Sequence, residues 1–434
     1  MLKFYKSILI VIIIIQSIFI IVNSISLSEM YGGTDLRCRV VGARLLDKSI
    51  SPYYYKWNPE DGDYLLDPND APNRIVNGNT ATPAILYLVK PISTFQYQNV
   101  RLGWTTIQLI LVILSIFFLI KTDDNKNNII YQLLILLSFL CSDIWFYNIE
   151  RGQIYIFFSF LFILMYWLYK QNSRVGFILS GLIGGLFVFF RPISIIIALP
   201  FILNFKKNIF WLSGFGLGII MGCILFIVPN PKLWEDYFSA MKVYESISEI
   251  PFHYTIESTN TIWQNKTIEE VKNLTYYKSF IKSGGMRTIA DYLHIAGISI
   301  KNNEVIAFYL FLVMILNFLY YQKKGTCSSI DRSFIYAFFL YNLLEIILVA
   351  PRGGYSFIQW IFPIWVLGKY LFNDKFLMGI YLSAILLTFH FPFDFNYQKD
   401  LSELLLMLIV LILLFFNQDK NQNVKQIRSD YITN

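Results

Sequence analysis

Charge is scarce in this chain. Only 15% of its 434 residues are Asp, Glu, Lys or Arg, where a soluble domain carries about 25%. With 56% hydrophobic residues gathered in repeated long apolar runs, that deficit excludes an ordinary soluble domain and indicates a polytopic membrane protein. Histidine is rarer still: three residues in all, too few to expect a His-based metal site. The four cysteines, Cys38, Cys141, Cys223 and Cys327, are far apart and form no Cys-x-x-Cys or Cys/His spacing, so neither a metal nor a disulfide framework is expected. The surplus of positive charge is spread over many loops, which argues against a nucleic-acid partner. No internal repeat is visible, and a transporter would usually show one.

What is present is an all-α pattern. The first apolar run, Ser7 to Ile25, follows the basic start Met1–Lys6; its length and the lack of a small-residue cleavage site favour a retained helix over a signal peptide. Further runs lie at about 101–120, 129–147, 154–169, 175–190, 192–205, 209–228, 304–321, 333–350, 355–371, 376–393 and 401–416. The expectation is one integral membrane domain, 1–434, of about twelve spans. The short pair 175–190 and 192–205 is open to being a single broken or re-entrant element. Lys3, Lys6, Lys121, Lys126, Lys170, Arg174, Lys206, Lys207, Lys323, Lys324, Lys369 and Lys375 then share one side with the polar tail 417–434. The positive-inside rule makes that side cytoplasmic, so both termini of this cell-membrane protein are expected there. Two long segments, 26–99 and 229–303, fall outside. Each contains a candidate interfacial helix: Ala84–Ile92, too short to span, and Leu233–Tyr244, with Trp234, Tyr237, Phe238 and Met241 at helical spacing.

A charge in the bilayer costs roughly 2.5–3.5 kcal/mol on insertion scales, so it tends to mark function. On this topology the span-associated charges collect toward the outer face: Asp143, Glu150, Arg151, Arg191, Glu345 and Arg352, with Asp35, Arg37 and Arg39 from the first outer segment. Each taken singly also fits an ordinary helix-end charge. Glu150 and Arg151 are placed to pair with each other, and Arg191-Pro192 reads equally as a turn with a snorkelling arginine. As a set they indicate a polar cavity open to the outside, lined by carboxylates and guanidiniums. Guanidinium forks suit phosphate, and a carboxylate beside them suits proton abstraction from a hydroxyl.

Several stretches, in order, resemble glycosyltransferase family 87, of GT-C type. Asp35-Leu36-Arg37, continuing through Ala43-Arg44-Leu45-Leu46 to Pro52-Tyr53, is similar to the family's opening D-x-x-x-Y … A-x-x-L-L-x-G-x-x-P-Y. Thr82-Pro83-Ala84 resembles its Y-P-P segment. Gly152-Gln153-Ile154-Tyr155 resembles G-Q-x-N, with Tyr155 where Asn is usual. Gly181–Gly185 followed by Phe190-Arg191-Pro192 resembles G-L-x-x-G-x-A-x-x-x-K-P, with Arg for Lys. Ser258-Thr259-Asn260-Thr261 resembles N-Q-S.

The resemblance implies an integral-membrane, inverting hexosyltransferase, often a mannosyltransferase. It would take its sugar from a polyprenyl phosphate and pass it to a lipid or glycan acceptor on the outer face, with no cofactor and no metal generally required. Asp35 would be the base that deprotonates the acceptor hydroxyl. Arg191, Arg352, Arg151 and Arg37 are the candidates to hold the leaving phosphate. Gln153 and Asn260 are candidates to bind sugar hydroxyls, Glu150 and Asp143 to orient an arginine, and His253 and Glu257 to face the acceptor. A plainer role stands beside the first assignment: after two glycines, Asp35 also suits a helix cap or an Asx turn. The competing functions are a surface-glycan polymerase or ligase and a transporter of lipid-linked sugar.

Overall fold

The structure is a computed structural model, and it describes residues 2–67, 76, 79–123, 126, 128–248, 288–289, 292–293, 296–298, 302–322, 328–347, 353–372, 374–389 and 397–416. Among these residues the protein is helical, with no strand. Among the described residues four helices are long and apolar enough to cross a membrane: Tyr5–Met30, Tyr97–Thr122, Phe205–Ile227 and Asn303–Gln322. Ile129–Leu140 and Asp143–Arg151 would make a fifth span if counted together, but they are bent by 51°. The remaining apolar runs form shorter helices, so the expected count of about twelve does not follow from helix length and composition. The cause is local. The run 129–147, continuous by hydropathy, is cut at Cys141-Ser142, and the shorter runs stay divided at Arg191-Pro192 and at Asn204.

The bundle opens with α1 (Leu2–Met30) and α2 (Thr34–Asp47). The stretch after Asp35, within the expected first outer segment, is thus a helix. Nine of its first twelve residues, from Leu36 to Leu45, are buried with Ala43 and Val40 among them. Gly33 caps its start in the left-handed region at φ 63°, a conformation that costs glycine little. Next come α3 (Pro83–Ser93), α4 (Tyr97–Thr122), α5 (Ile129–Leu140), α6 (Asp143–Arg151), α7 (Tyr155–Lys170) and α8 (Arg174–Phe190). A 3-10 turn, Pro192–Ala198, leads through α9 (Leu199–Leu203) to α10 (Phe205–Gly222) and then α11 (Pro231–Ser248). The run 175–205 is therefore broken at Arg191-Pro192. The last five helices are α12 (Asn302–Gln322), α13 (Ser329–Ile347), α14 (Ile361–Leu371), α15 (Lys375–Leu386) and α16 (Gln398–Leu411).

Both short amphipathic helices form. Pro83–Ser93 turns Ala84, Ile85, Leu86 and Val89 inward, against α2. On α11, Leu233, Trp234, Tyr237 and Ala240 are buried while Phe238 stays 52% exposed, so the buried stripe runs one residue away from the expected face.

The closest helix pairing joins α8 to α10 and explains the glycines of 181–185. A Cβ on Gly181 would lie 1.9 Å from the Trp211 carbonyl oxygen, and one on Gly185 would lie 2.2 Å from that of Phe215. In an apolar medium small residues let helix backbones approach and gain packing energy. Arg191 leaves the end of this rigid pair, which fixes where its guanidinium begins.

Candidate active site

Asp35 does not cap its helix. Gly33 takes that position with no side-chain cap, and the carboxylate instead reaches across to the turn that follows α6. Arg151 donates from Nε to Oδ2 and from Nη2 to Oδ1, both at 2.8 Å. This is the two-pronged pairing that a guanidinium fork favours. Gln153 Nε2 also donates to Oδ2. The Gln153 amide is held at its other end as well, since Arg39 donates from Nη2 to Oε1 at 2.7 Å and from Nη1 to the Gly152 carbonyl at 3.1 Å. The side chain of Asp35 is 13% exposed and that of Arg151 32%: enclosed, yet open on one side.

Two features hold α2 against α6 so that this contact exists. Gly152 ends α6 in the left-handed region at φ 67°, and a Cβ there would lie 2.6 Å from that of Leu36. Arg101, buried within α4, donates to the carbonyls of Tyr31 at 3.1 Å, Ile149 at 2.6 Å and Glu150 at 3.3 Å. The last carbonyls of a helix lack partners within it, so Arg101 satisfies the end of α6 and ties it to the α1–α2 turn. Tyr97 adds a hydrogen bond to the Gly33 carbonyl at 2.9 Å. Sequence reasoning placed Arg101 merely at the start of a span and counted Arg39 only among the outer charges. The usable signal for Arg101 was its place in the first turns of a helix that then runs apolar to its end.

A second ion pair lies nearby. Arg191 Nε donates to Glu345 Oε1 at 3.1 Å, and Nη2 reaches the same oxygen. Glu345 is buried, and Tyr341 donates to it at 2.8 Å and Gln359 at 3.3 Å. The Arg191 guanidinium also lies 5.4 Å from the centre of the Tyr155 ring. Tyr155, Tyr355 and Tyr147 form a row with 5.4 Å between successive centroids. A cavity of about 70 Å³ opens between Arg39 and Arg191, bordered by Thr80, Thr82, Tyr155 and Tyr237.

The other candidates separate. Arg37 is turned away from the cluster: it is buried, donates to the Leu66 carbonyl at 3.0 Å and the Asp63 carbonyl at 2.7 Å, and stacks over Tyr97. Its guanidinium braces the 59–66 segment. Asp143 lies 3.8 Å from Lys399, which ties α6 to α16. Glu150 is buried at the end of α6, and Arg151 pairs with Asp35, not with it. Arg352, Asn260, His253 and Glu257 lie outside the described residues. Cys38 is buried in α2, where burial and then the neighbouring Asp67 push its thiol well above the usual range, so it is a packed side chain and a poor nucleophile.

Charge is not confined to this end. Asp331, fully buried, accepts from Tyr166 at 2.7 Å and Tyr370 at 2.6 Å and pairs with Lys369 at 3.0 Å and Lys170 at 3.4 Å. Tyr155 and Lys170 are the two ends of α7, whose 16 residues rise about 24 Å. The two charged clusters therefore stand at opposite ends of the bundle.

Residues 80–266 match the model of glycosyltransferase family 87. The match covers less than half of the chain and is consistent with a divergent member of that family; the chain is a membrane glycosyltransferase. The match takes in Arg151, Gly152, Gln153 and Arg191, and so covers both arginines of the ion pairs; Asp35 and Arg39 precede it. No curated protein and no solved structure matches the chain. Placed in family 87, the turn at Gly152-Gln153 has a physical role here: it delivers an amide donor to a carboxylate.

Proposed function

We propose that this family 87 enzyme transfers a hexose, with mannose as the leading candidate, from a polyprenyl phosphate to an acceptor hydroxyl by an inverting displacement. The observation that carries the reading is the half-enclosed carboxylate of Asp35, held by Arg151 and Gln153 beside a second arginine–carboxylate pair. Asp35 takes the proton of the acceptor hydroxyl as its oxygen bonds to the anomeric carbon. The bond from that carbon to the phosphate oxygen breaks, and the phosphate leaves with its added negative charge. Arg151 and Arg191 offset that charge.

The resting ion pair fits this chemistry in a definite way. A guanidinium bound to both carboxylate oxygens occupies the lone pairs a base must use. The donor phosphate competes for Arg151, and as it draws the guanidinium over, the carboxylate oxygens turn to the acceptor. Base and donor are thereby coupled through one side chain. The twelve-span GT-C arrangement, with both termini cytoplasmic and the site outside, belongs to the same proposal, as does a lipid or glycan acceptor.

Asp35→Asn is the direct test. The variant keeps the shape of the side chain and should insert normally in the membrane, while transfer from a polyprenyl-phosphate hexose drops by roughly 100-fold or more, the usual contribution of a general base. Near-normal transfer by this variant would remove Asp35 as the base.

A further inference from the structure

We infer that Arg39 is the resting anion anchor of the site, holding the phosphodiester that joins lipid and sugar in the donor, in the cavity it shares with Arg191. The inference rests on the lipid-phosphate reading above and assigns a position to that group. Arg151 and Arg191 each already face a carboxylate, Asp35 and Glu345 respectively. Arg39 differs. Its hydrogen bonds go to the Gly152 carbonyl and the Gln153 amide oxygen, both neutral, and among the described residues no carboxylate pairs with it. A cation left uncompensated in a partly enclosed site is costly, and such a charge in a membrane protein tends to lie where an anion arrives.

The surroundings fit a phosphoryl group. The cavity measures about 70 Å³, against the roughly 10–15 Å³ that one water requires, so it holds a few heavy atoms but not the sugar attached to them. The hydroxyl-bearing side chains Thr80, Thr82, Tyr155 and Tyr237 border it and supply donors to phosphate oxygens. It also lies at the first residues of α7, whose positive end favours an anion. The attached sugar then extends from the cavity toward Gln153 and Asp35. Because Arg39 and Asp35 hold opposite ends of the same amide, a phosphate seated on Arg39 is registered directly at the base.

The test separates binding from turnover. The full chain in lipid nanodiscs is titrated with a sugar-free polyprenyl monophosphate and, in a parallel arm, with inorganic phosphate. The wild type should bind the lipid phosphate. Arg39→Gln should weaken that binding about 10-fold or more, the scale of a charge-assisted hydrogen bond, whereas Arg39→Lys, which keeps the charge, should lose less. Asp35→Asn, inert in transfer, releases Arg151 from its carboxylate and should bind at least as tightly as the wild type. Measurable binding of inorganic phosphate that is lost in Arg39→Gln supports the anchor through the headgroup alone. Unchanged lipid-phosphate binding in Arg39→Gln overturns the inference while leaving the Asp35 reading standing. If Arg39→Gln fails to fold, binding by Arg39→Lys that no longer falls with added salt, as a phosphate contact must, overturns it equally.

Discussion

Arg39 donates to the amide oxygen of Gln153, and this contact decides that the amide nitrogen faces Asp35. An amide placed between a cation and an anion has one favourable orientation. The base is thus aligned by a residue four positions further along its own helix, acting through a turn more than a hundred residues away.

Replacing Gln153 tests that alignment. Gln153→Leu removes one donor to Asp35 and one acceptor for Arg39, and transfer should fall roughly 10- to 100-fold, in line with one or two lost hydrogen bonds to charged groups. Gln153→Glu should be worse, because it keeps an acceptor for Arg39 but sets a second negative charge against Asp35. Initial rates across donor concentrations would show both effects in kcat; a glutamate variant as active as the wild type would refute the alignment.

Arg101 carries stability rather than chemistry. Arg101→Met should destabilise the protein by about 3 kcal/mol, since buried carbonyls left without a donor cost roughly 1–3 kcal/mol each. Thermal unfolding in detergent would report the loss. Activity should fall along with it, because the α6 end that carries Arg151 is no longer tied to the α1–α2 turn.

The α8–α10 contact has its own internal control. Gly181→Ala places a methyl 1.9 Å from a backbone oxygen, while a Cβ on Gly216 would meet nothing within 4 Å. The first substitution should cost about 1–3 kcal/mol through overpacking. The second should be neutral or stabilise by up to about 1 kcal/mol, as alanine is the better helix former. Equal melting temperatures for the two would show that the close approach is not formed.

Orientation is open to chemical labelling. In a background without the four native cysteines, Tyr54→Cys should react with an impermeant maleimide added to intact cells, and Lys121→Cys only after the membrane is opened. The reverse pattern would place the site on the cytoplasmic side.

Much about this protein is legible along the chain because it depends on composition and local order. Scarce charge and long apolar runs require a helical membrane protein, since lipid offers the backbone no hydrogen bonds. The spacing of Trp234 and Tyr237 indicates an amphipathic helix, and the stretch around Gly152-Gln153 carries the family resemblance. Asp35, Arg151 and Gln153 were each picked out as candidates, though in different roles from those of their resting contacts. Pairing across space was not legible. Glu150 and Arg151 are neighbours in sequence, yet Arg151 pairs with Asp35, because the left-handed turn at Gly152 and the Arg101 clamp bring α6 against α2. Arg37 and Arg39 are two residues apart on a helix and so point in different directions; only the packing of α2 sends one to brace a loop and the other to a cavity. Charge and hydropathy determine that such groups gather away from lipid. Tertiary geometry alone decides which guanidinium is neutralised by a carboxylate and which remains available to an anion.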